Sequence, residues 1–267
     1  MIPTVATVTM GGDLPERITA AAQARFEAIE LFDADLEAFG GNAQAVRQMT
    51  DAAGLQIASY FPLRDVEGIA PQNRDAVLKR AAAYMDTAVS LGSPMIMMCS
   101  AIDPTLSGIR DDIVADLARL ADLAAERELK LAYEALSWGQ YVFDYRDASR
   151  LVVEVDHPAL GLVLDSFHVF ARQHPLGEIA QIPKERIFLV QISDAPRLNL
   201  GYQDWSRHHR TLPGRGVFDL AAFALHVRET GYDGIVSLEC FDDQLKALPA
   251  TDVARQGRDS ISGLWQA

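Results

Sequence analysis

Apolar and polar positions along the chain follow two periods in turn, and the switching between them is regular. Short apolar, β-rich runs occur at 3–10 ("PTVATVTM"), 28–33 ("AIELFD"), 56–61 ("QIASYF") and 95–100 ("MIMMCS"). The second half repeats the pattern at 129–136 ("LKLAYEAL"), 160–167 ("LGLVLDSF"), 186–193 ("RIFLVQIS") and 234–241 ("GIVSLECF"). Between these runs lie segments such as "PERITAAAQARF", "NAQAVRQMTDAA", "RDAVLKRAAAYMDTAVSL" and "RDDIVADLARLADLAAE", with apolar residues at i, i+3 and i+4. Glycines punctuate several of their ends, as in "AAGL" and "SLGS". The runs are too apolar for a sheet with one wet face, so the pattern predicts a parallel sheet covered by helices. A doubly wound sheet usually carries a G-x-G-x-x-G turn after its first strand, and "TMGGDLPER" lacks that spacing. Strand count and a length of 267 residues favour the α/β class and a single (β/α)8 TIM barrel over 1–267.

In such a barrel the chemistry sits at the C-terminal ends of the strands. The last four predicted strands each end on a polar residue among apolar ones: Glu134, Asp165, Gln191 and Glu239. Strand alternation lets all four face the barrel axis. Four adjacent strands span an arc of roughly 15 Å at about 4.8 Å per step, and the outer two carry the longer Glu. Three carboxylates converging without a cation would repel, and at least one would be held protonated. A divalent metal removes that conflict. Oxygen-only ligation favours Mg²⁺ or Mn²⁺, with Co²⁺ also compatible, and leaves about two octahedral positions for a chelating hydroxy-ketone.

Charge narrows the partner class. A formal net charge of −13 argues against nucleic acid or an anionic membrane. No stretch approaches eighteen uninterrupted apolar residues, so no membrane span is expected. The start of the chain has no secretion signal, and two cysteines are too few for a disulfide framework, so a reducing cytoplasm is the expected location. A homo-oligomer is compatible with the composition.

The most basic stretch, "WSRHHRTLPGRG" (205–216), follows the seventh strand. Arg210 from it and Arg64 from "YFPLRDVEG" after the third strand suit a substrate carboxylate; solvated arginines paired with surplus acids are the plain alternative. His168, three residues past Asp165, stands where it could take a proton beside a metal-bound ketone or orient a ligand. His208 and His209 read as positional or solvated, and Cys99 and Cys240 as packing residues. Lys130 and Lys184 lie at the wrong end of the barrel for Schiff-base chemistry, leaving Lys246 as the remaining candidate. The loop "ECFDDQLKALP" has no glycine, which disfavours a phosphorylated substrate, although "PGRG" keeps that option open.

The strand-end ligands resemble those of the xylose-isomerase-like sugar isomerase/epimerase barrels, whose usual set is Glu, Asp, His and Glu. Gln191 departs from it. The segments "VATVTMGG", "IELFDADL", "FPLRDVEG", "YEALSWG", "LDSFH", "VQISDAP", "WSRHHR" and "PGRG" look like those of the bacterial 3-dehydroshikimate dehydratases over nearly the whole chain. The resemblance implies metal ligation by Glu134, Asp165, Gln191 and Glu239, with Glu134 and Glu239 counted as catalytic beside the proton-transfer residue His168. It implies Arg64, Ser206 and Arg210 as contacts to a small carboxylated hydroxy-ketone. The implied reaction is loss of water from 3-dehydroshikimate, through an enolate, to give protocatechuate. Some members carry a dioxygenase-like second domain, which is expected to be absent here. Rival expectations are a keto-sugar isomerase or epimerase, an inosose-type dehydratase, and a non-catalytic module stapled by the metal.

Overall fold

The period-two runs become eight strands in a computed structural model that describes residues 1–265: β1 (Ile2–Ala6), β2 (Ala28–Phe32), β3 (Gln56–Leu63), β4 (Met95–Cys99), β5 (Lys130–Glu134), β6 (Leu160–Asp165), β7 (Ile187–Ile192) and β8 (Ile235–Leu238). Consecutive strands pair in parallel, and β8 closes on β1 with Ile2 opposite Ile235 and Val5 opposite Leu238. Closure leaves no unpaired sheet edge. The expected (β/α)8 barrel is the observed fold.

Alternation divides the apolar residues into two layers. Met95, Met97 and Cys99 of β4 point inward to a lumen cluster with Ala6, Phe61, Ala132, Val163 and Leu189. Ile96 and Met98 point outward to a larger cluster shared with the surrounding helices. The helix-period segments wrap that outer layer, and their ends follow local chemistry. Helix Leu14–Gln23 opens on a capping box, in which Asp13 Oδ1 accepts from Glu16 N (2.9 Å) and Glu16 Oε2 accepts from Asp13 N (3.0 Å). Helix Arg74–Leu91 stops at Gly92, whose φ of 73° is left-handed.

Except for β3, the strands stop short of their apolar runs at the catalytic end, and at β1 side chains there take over the backbone's partners. β1 ends at Ala6 and the chain tightens into a 3-10 turn over Thr7–Thr9. Thr7 Oγ1 accepts from Phe32 N, while Thr9 Oγ1 donates to Leu238 O and accepts from Cys240 N. These hydroxyls end the ladder and release the loops that form the barrel mouth. Among the described residues no helix is long and apolar enough to cross a membrane.

Candidate active site and metal centre

Inward alternation brings Glu134, Asp165, Gln191 and Glu239 together at the C-terminal mouth, all four buried. Asp165 and Gln191 are direct partners across β6 and β7. Glu134 closes β5, and Glu239 follows the last residue of β8. One oxygen each from Glu134 and Asp165 and a ring nitrogen of His168 lie within 4.8 Å of one another. His168 belongs to a short helix, Ser166–Ala171, that Asp165 itself caps by accepting from Phe167 N (2.7 Å). The same residue thus ends the strand, starts the helix and sets His168 over the centre.

His168 Nε2 stands 3.5 Å from Glu134 Oε1 and 3.5 Å from Asp165 Oδ2. On the other side of the ring, Nδ1 accepts from Ser137 N (3.1 Å), which places the ring proton on Nε2 in the neutral form. The Ser137 hydroxyl lies 3.0 Å from the same Nδ1 and can accept when the tautomer changes. Burial pushes the His168 pKa down to about 4, against the pull of Asp165. Trp138 meets the imidazole edge-on at 5.2 Å.

Arg210 reaches the mouth as expected and lines the cleft, but its guanidinium is already engaged by acids of the site. Two buried carboxylates at one height need a counter-charge, and Arg210 supplies it. Its Nη2 donates to Asp165 Oδ2 (2.7 Å) and Glu239 Oε2 (2.9 Å), and its Nε to Ser193 Oγ (3.0 Å). Only 2% of it is exposed, and its guanidinium lies over the rings of Phe167 and Phe241. Against the cost of burial, Asp165, Glu239 and Glu134 hold it firmly charged. The carboxyls respond in the opposite sense. Burial, then Asp165 and Glu239, pushes Glu134 well above the usual carboxylate range. Burial likewise pushes Glu239 up to about 8, with Arg210 pulling it down.

The centre fits a divalent cation on two grounds. If Glu134, Asp165 and Glu239 are all ionised, Arg210 leaves two negative charges unbalanced, which one divalent ion would neutralise. The buried Oε1 of Gln191 also has no hydrogen-bond partner among the described residues, although burying such an oxygen costs free energy when nothing pairs with it. A hard ion would satisfy that oxygen and three carboxylates together.

A cleft leads down to this centre between Phe32, Phe61, Trp138 and Phe241, with Arg64, Ser206, Arg207 and Arg210 along its wall. Arg64 pairs at 3.6 Å with Asp33. Arg207 was not foreseen from the sequence. It sits half-buried with neither a hydrogen bond nor an ion pair to its side chain among the described residues, and burial, then Arg64, lowers its pKa. Ser206, Arg207 and Arg210 share one side of helix Tyr202–His209 and its cap, a spacing that sequence alone would allow. Glu30 was also unforeseen. A lone Glu in "AIELFD" passes the same strand test, and it is wholly buried in the lumen.

Other expectations resolve by contact. Lys130 Nζ donates to Pro158 O at the far end of the barrel. His208 pairs with Asp243 at the surface. Cys240 is buried packing, whereas Cys99 reaches the centre and donates to Glu134 Oε2 at 3.3 Å. "PGRG" forms no anion cradle. Its Gly214 amide donates to Asp194 and its Arg215 amide to Leu212 O, while Asp194 also accepts from Phe218 N just beyond the loop.

Comparison with known proteins follows the same lines. A family model described as a xylose isomerase-like TIM barrel matches residues 18–264. A 3-dehydroshikimate dehydratase of Pseudomonas putida is 39% identical over 96% of this chain and 40% of its own length. The chain therefore spans about two fifths of the curated relatives it matches first. A solved xylose isomerase-like TIM barrel/4-hydroxyphenylpyruvate dioxygenase fusion protein superposes with a TM-score of 0.96 at 39% identity, over 99% of this chain and 42% of that one. The IOLI protein, solved with a zinc atom, shares the fold at a TM-score of 0.89 and 20% identity, over 99% of this chain and 98% of that one.

Proposed function

The chain belongs to the xylose isomerase-like TIM barrel family, and we propose that it dehydrates 3-dehydroshikimate to protocatechuate, using a divalent ion held by Glu134, Asp165, Gln191 and Glu239. The observation that carries this reading is the pairing of two opposed features at one mouth. An oxygen-rich, electron-donating floor lies under a wall of arginines, which suits a hydroxy-ketone bearing a carboxylate. The 39% identity to a protein named for this reaction supports the same substrate.

Glu134, Asp165, Gln191 and Glu239 would hold the divalent ion, which when bound would supply Lewis-acid charge to a ketone and so acidify the neighbouring carbon. The protein's own groups do the rest. Arg207 and Arg64 hold the ring carboxylate and set which face of the ring points down. Ser206, buried beside them, offers a hydroxyl to a substrate oxygen. Once the ring's own proton has moved to Nδ1, where Ser137 Oγ accepts it in place of the contact from Ser137 N, the freed Nε2 of His168 takes the substrate's proton and returns it to the departing hydroxyl. Arg210 donates to Asp165 and Glu239 and holds both carboxyl groups aimed at the centre. Phe61, Trp138 and Phe241 narrow the cleft and exclude water from the reacting carbons. Aromatisation of the product draws the sequence forward.

The direct test strips the protein with chelator, adds 3-dehydroshikimate, and follows protocatechuate absorbance with Mg²⁺, Mn²⁺ or Co²⁺. Product that depends on the metal is expected. No product with any of them, from protein that binds one, overturns the reading and favours keto-sugars or inososes, which carry no carboxylate.

A further inference from the structure

Glu30 stands inside the barrel on β2, fully buried, with no part in the chemistry above. Its carboxylate is anchored from β3, where Ser59 Oγ donates to Oε2 at 2.6 Å. Across the lumen, on β7, the Gln191 side-chain amide donates to Glu30 Oε1 at 3.1 Å and lies 3.4 Å from Oε2. The same Nε2 is 3.5 Å from Met97 Sδ on β4. The nitrogen end of the amide is thus surrounded by acceptors, while Oε1 is buried without a partner among the described residues.

An amide is symmetric in shape but not in chemistry. A half-turn exchanges its donor and acceptor ends at little steric cost. Ionised, and already accepting from Ser59 Oγ, Glu30 offers only acceptors, so it admits the NH₂ end and turns the oxygen away from itself. Gln191 lies directly beside Asp165 in the β6–β7 register. With the amide reversed, the unpartnered acceptor would become two N–H donors, and no donor group can ligate a cation.

We propose that Glu30 is a positioning residue that holds the Gln191 amide with its oxygen available to the divalent ion, and that it touches neither substrate nor ion. The proposal deepens the metal-site reading and rests on it. A side chain with two possible orientations needs a partner that accepts only one of them.

The test measures Mn²⁺ affinity by titration calorimetry on the chelator-stripped full chain, with no substrate present. Four proteins form a cycle: wild type, Glu30→Gln, Gln191→Ala and the double variant. Loss of an orienting partner should weaken Mn²⁺ binding by about 10–100-fold in Glu30→Gln. Because Glu30 acts through Gln191, the double variant should bind no more weakly than Gln191→Ala alone. Ser59→Ala, which loosens Glu30 without changing the charge in the lumen, should show the same coupling at smaller size, and serves if Glu30→Gln does not fold. Unchanged affinity in Glu30→Gln overturns the proposal. So do losses that add in the double variant, since Glu30 would then act on the ion by charge alone. Wild-type protein that binds no Mn²⁺ overturns the metal site itself. Affinity lost in Gln191→Ala but kept in Glu30→Gln overturns only the role of Glu30.

Discussion

Replacing Arg210 by Met tests whether one guanidinium holds the metal-free centre together. Met approximates the aliphatic stem and removes the charge. Asp165 Oδ2 and Glu239 Oε2 would lose donors at 2.7 and 2.9 Å, and Ser193 Oγ one at 3.0 Å, in a place where the arginine is 2% exposed. Breaking a buried pair from one side costs about 3–5 kcal/mol, because the remaining charges stay desolvated and unpaired. With an unfolding entropy of about 2.1 cal/mol/K per residue, a chain of 267 residues should melt about 5–9 °C lower. That loss is expected in chelator. A saturating divalent ion gives the same carboxylates a new partner, so the variant should recover most of its deficit and gain more from the ion than wild type does. Arg210→Lys should fall between them, since an ammonium keeps the charge but not the fork that spans two carboxylates. Melting curves by circular dichroism with and without Mn²⁺ decide it. A variant within about 2 °C of wild type in chelator, or an equal ion-induced shift in both, would refute the idea that guanidinium and cation share these ligands.

Glu67 gives a prediction away from the mouth. It is buried, accepts from Tyr133 OH (2.7 Å) and Ala101 N (3.0 Å), and is pushed up to about 7 by burial. A raised carboxyl is neutral in the folded state when it is already ionised in the unfolded one, so stability falls as pH rises from about 4.5 to 7. Glu67→Gln should flatten that slope and stabilise the protein at pH 8 by up to about 3 kcal/mol, read from urea midpoints; an unchanged slope removes Glu67 as its source. Arg207→Ala should lower kcat/KM for the carboxylated substrate about 10–100-fold, the size of one charge-assisted hydrogen bond, with Mn²⁺ affinity unaffected. Equal loss on a substrate analogue lacking the carboxylate would refute that assignment. Gly216→Ala should destabilise by about 1–3 kcal/mol, because its Cβ would run into Asp194 Oδ1 and the Ala195 carbonyl; a neutral melt would mean the loop yields freely.

The barrel was legible in the chain because each strand and helix carries its own period, and a closed parallel sheet is what eight such repeats can bury. The four strand-end positions were legible for the same reason, since alternation fixes which side of a strand a residue faces. Sequence could place Glu134, Asp165, Gln191 and Glu239 at one end of one lumen. It could not say what lies across that lumen. The basic loop after β7 announced that Arg210 reaches the mouth, but not that it pairs there with Asp165, 45 residues back, and with Glu239. Arg207, three residues earlier and similar in composition, is left facing the cleft instead. "PGRG" kept a phosphate site open in the sequence, and the fold turns its Gly214 amide to Asp194 instead. The orientation of Gln191 depends on Glu30, 161 positions away. Local periodicity therefore determined the scaffold and the ring of candidate ligands. Which charges are already paired, and which polar atoms remain free, was decided by long-range contacts in a dry interior, where each buried group must find a partner and no local pattern records which one.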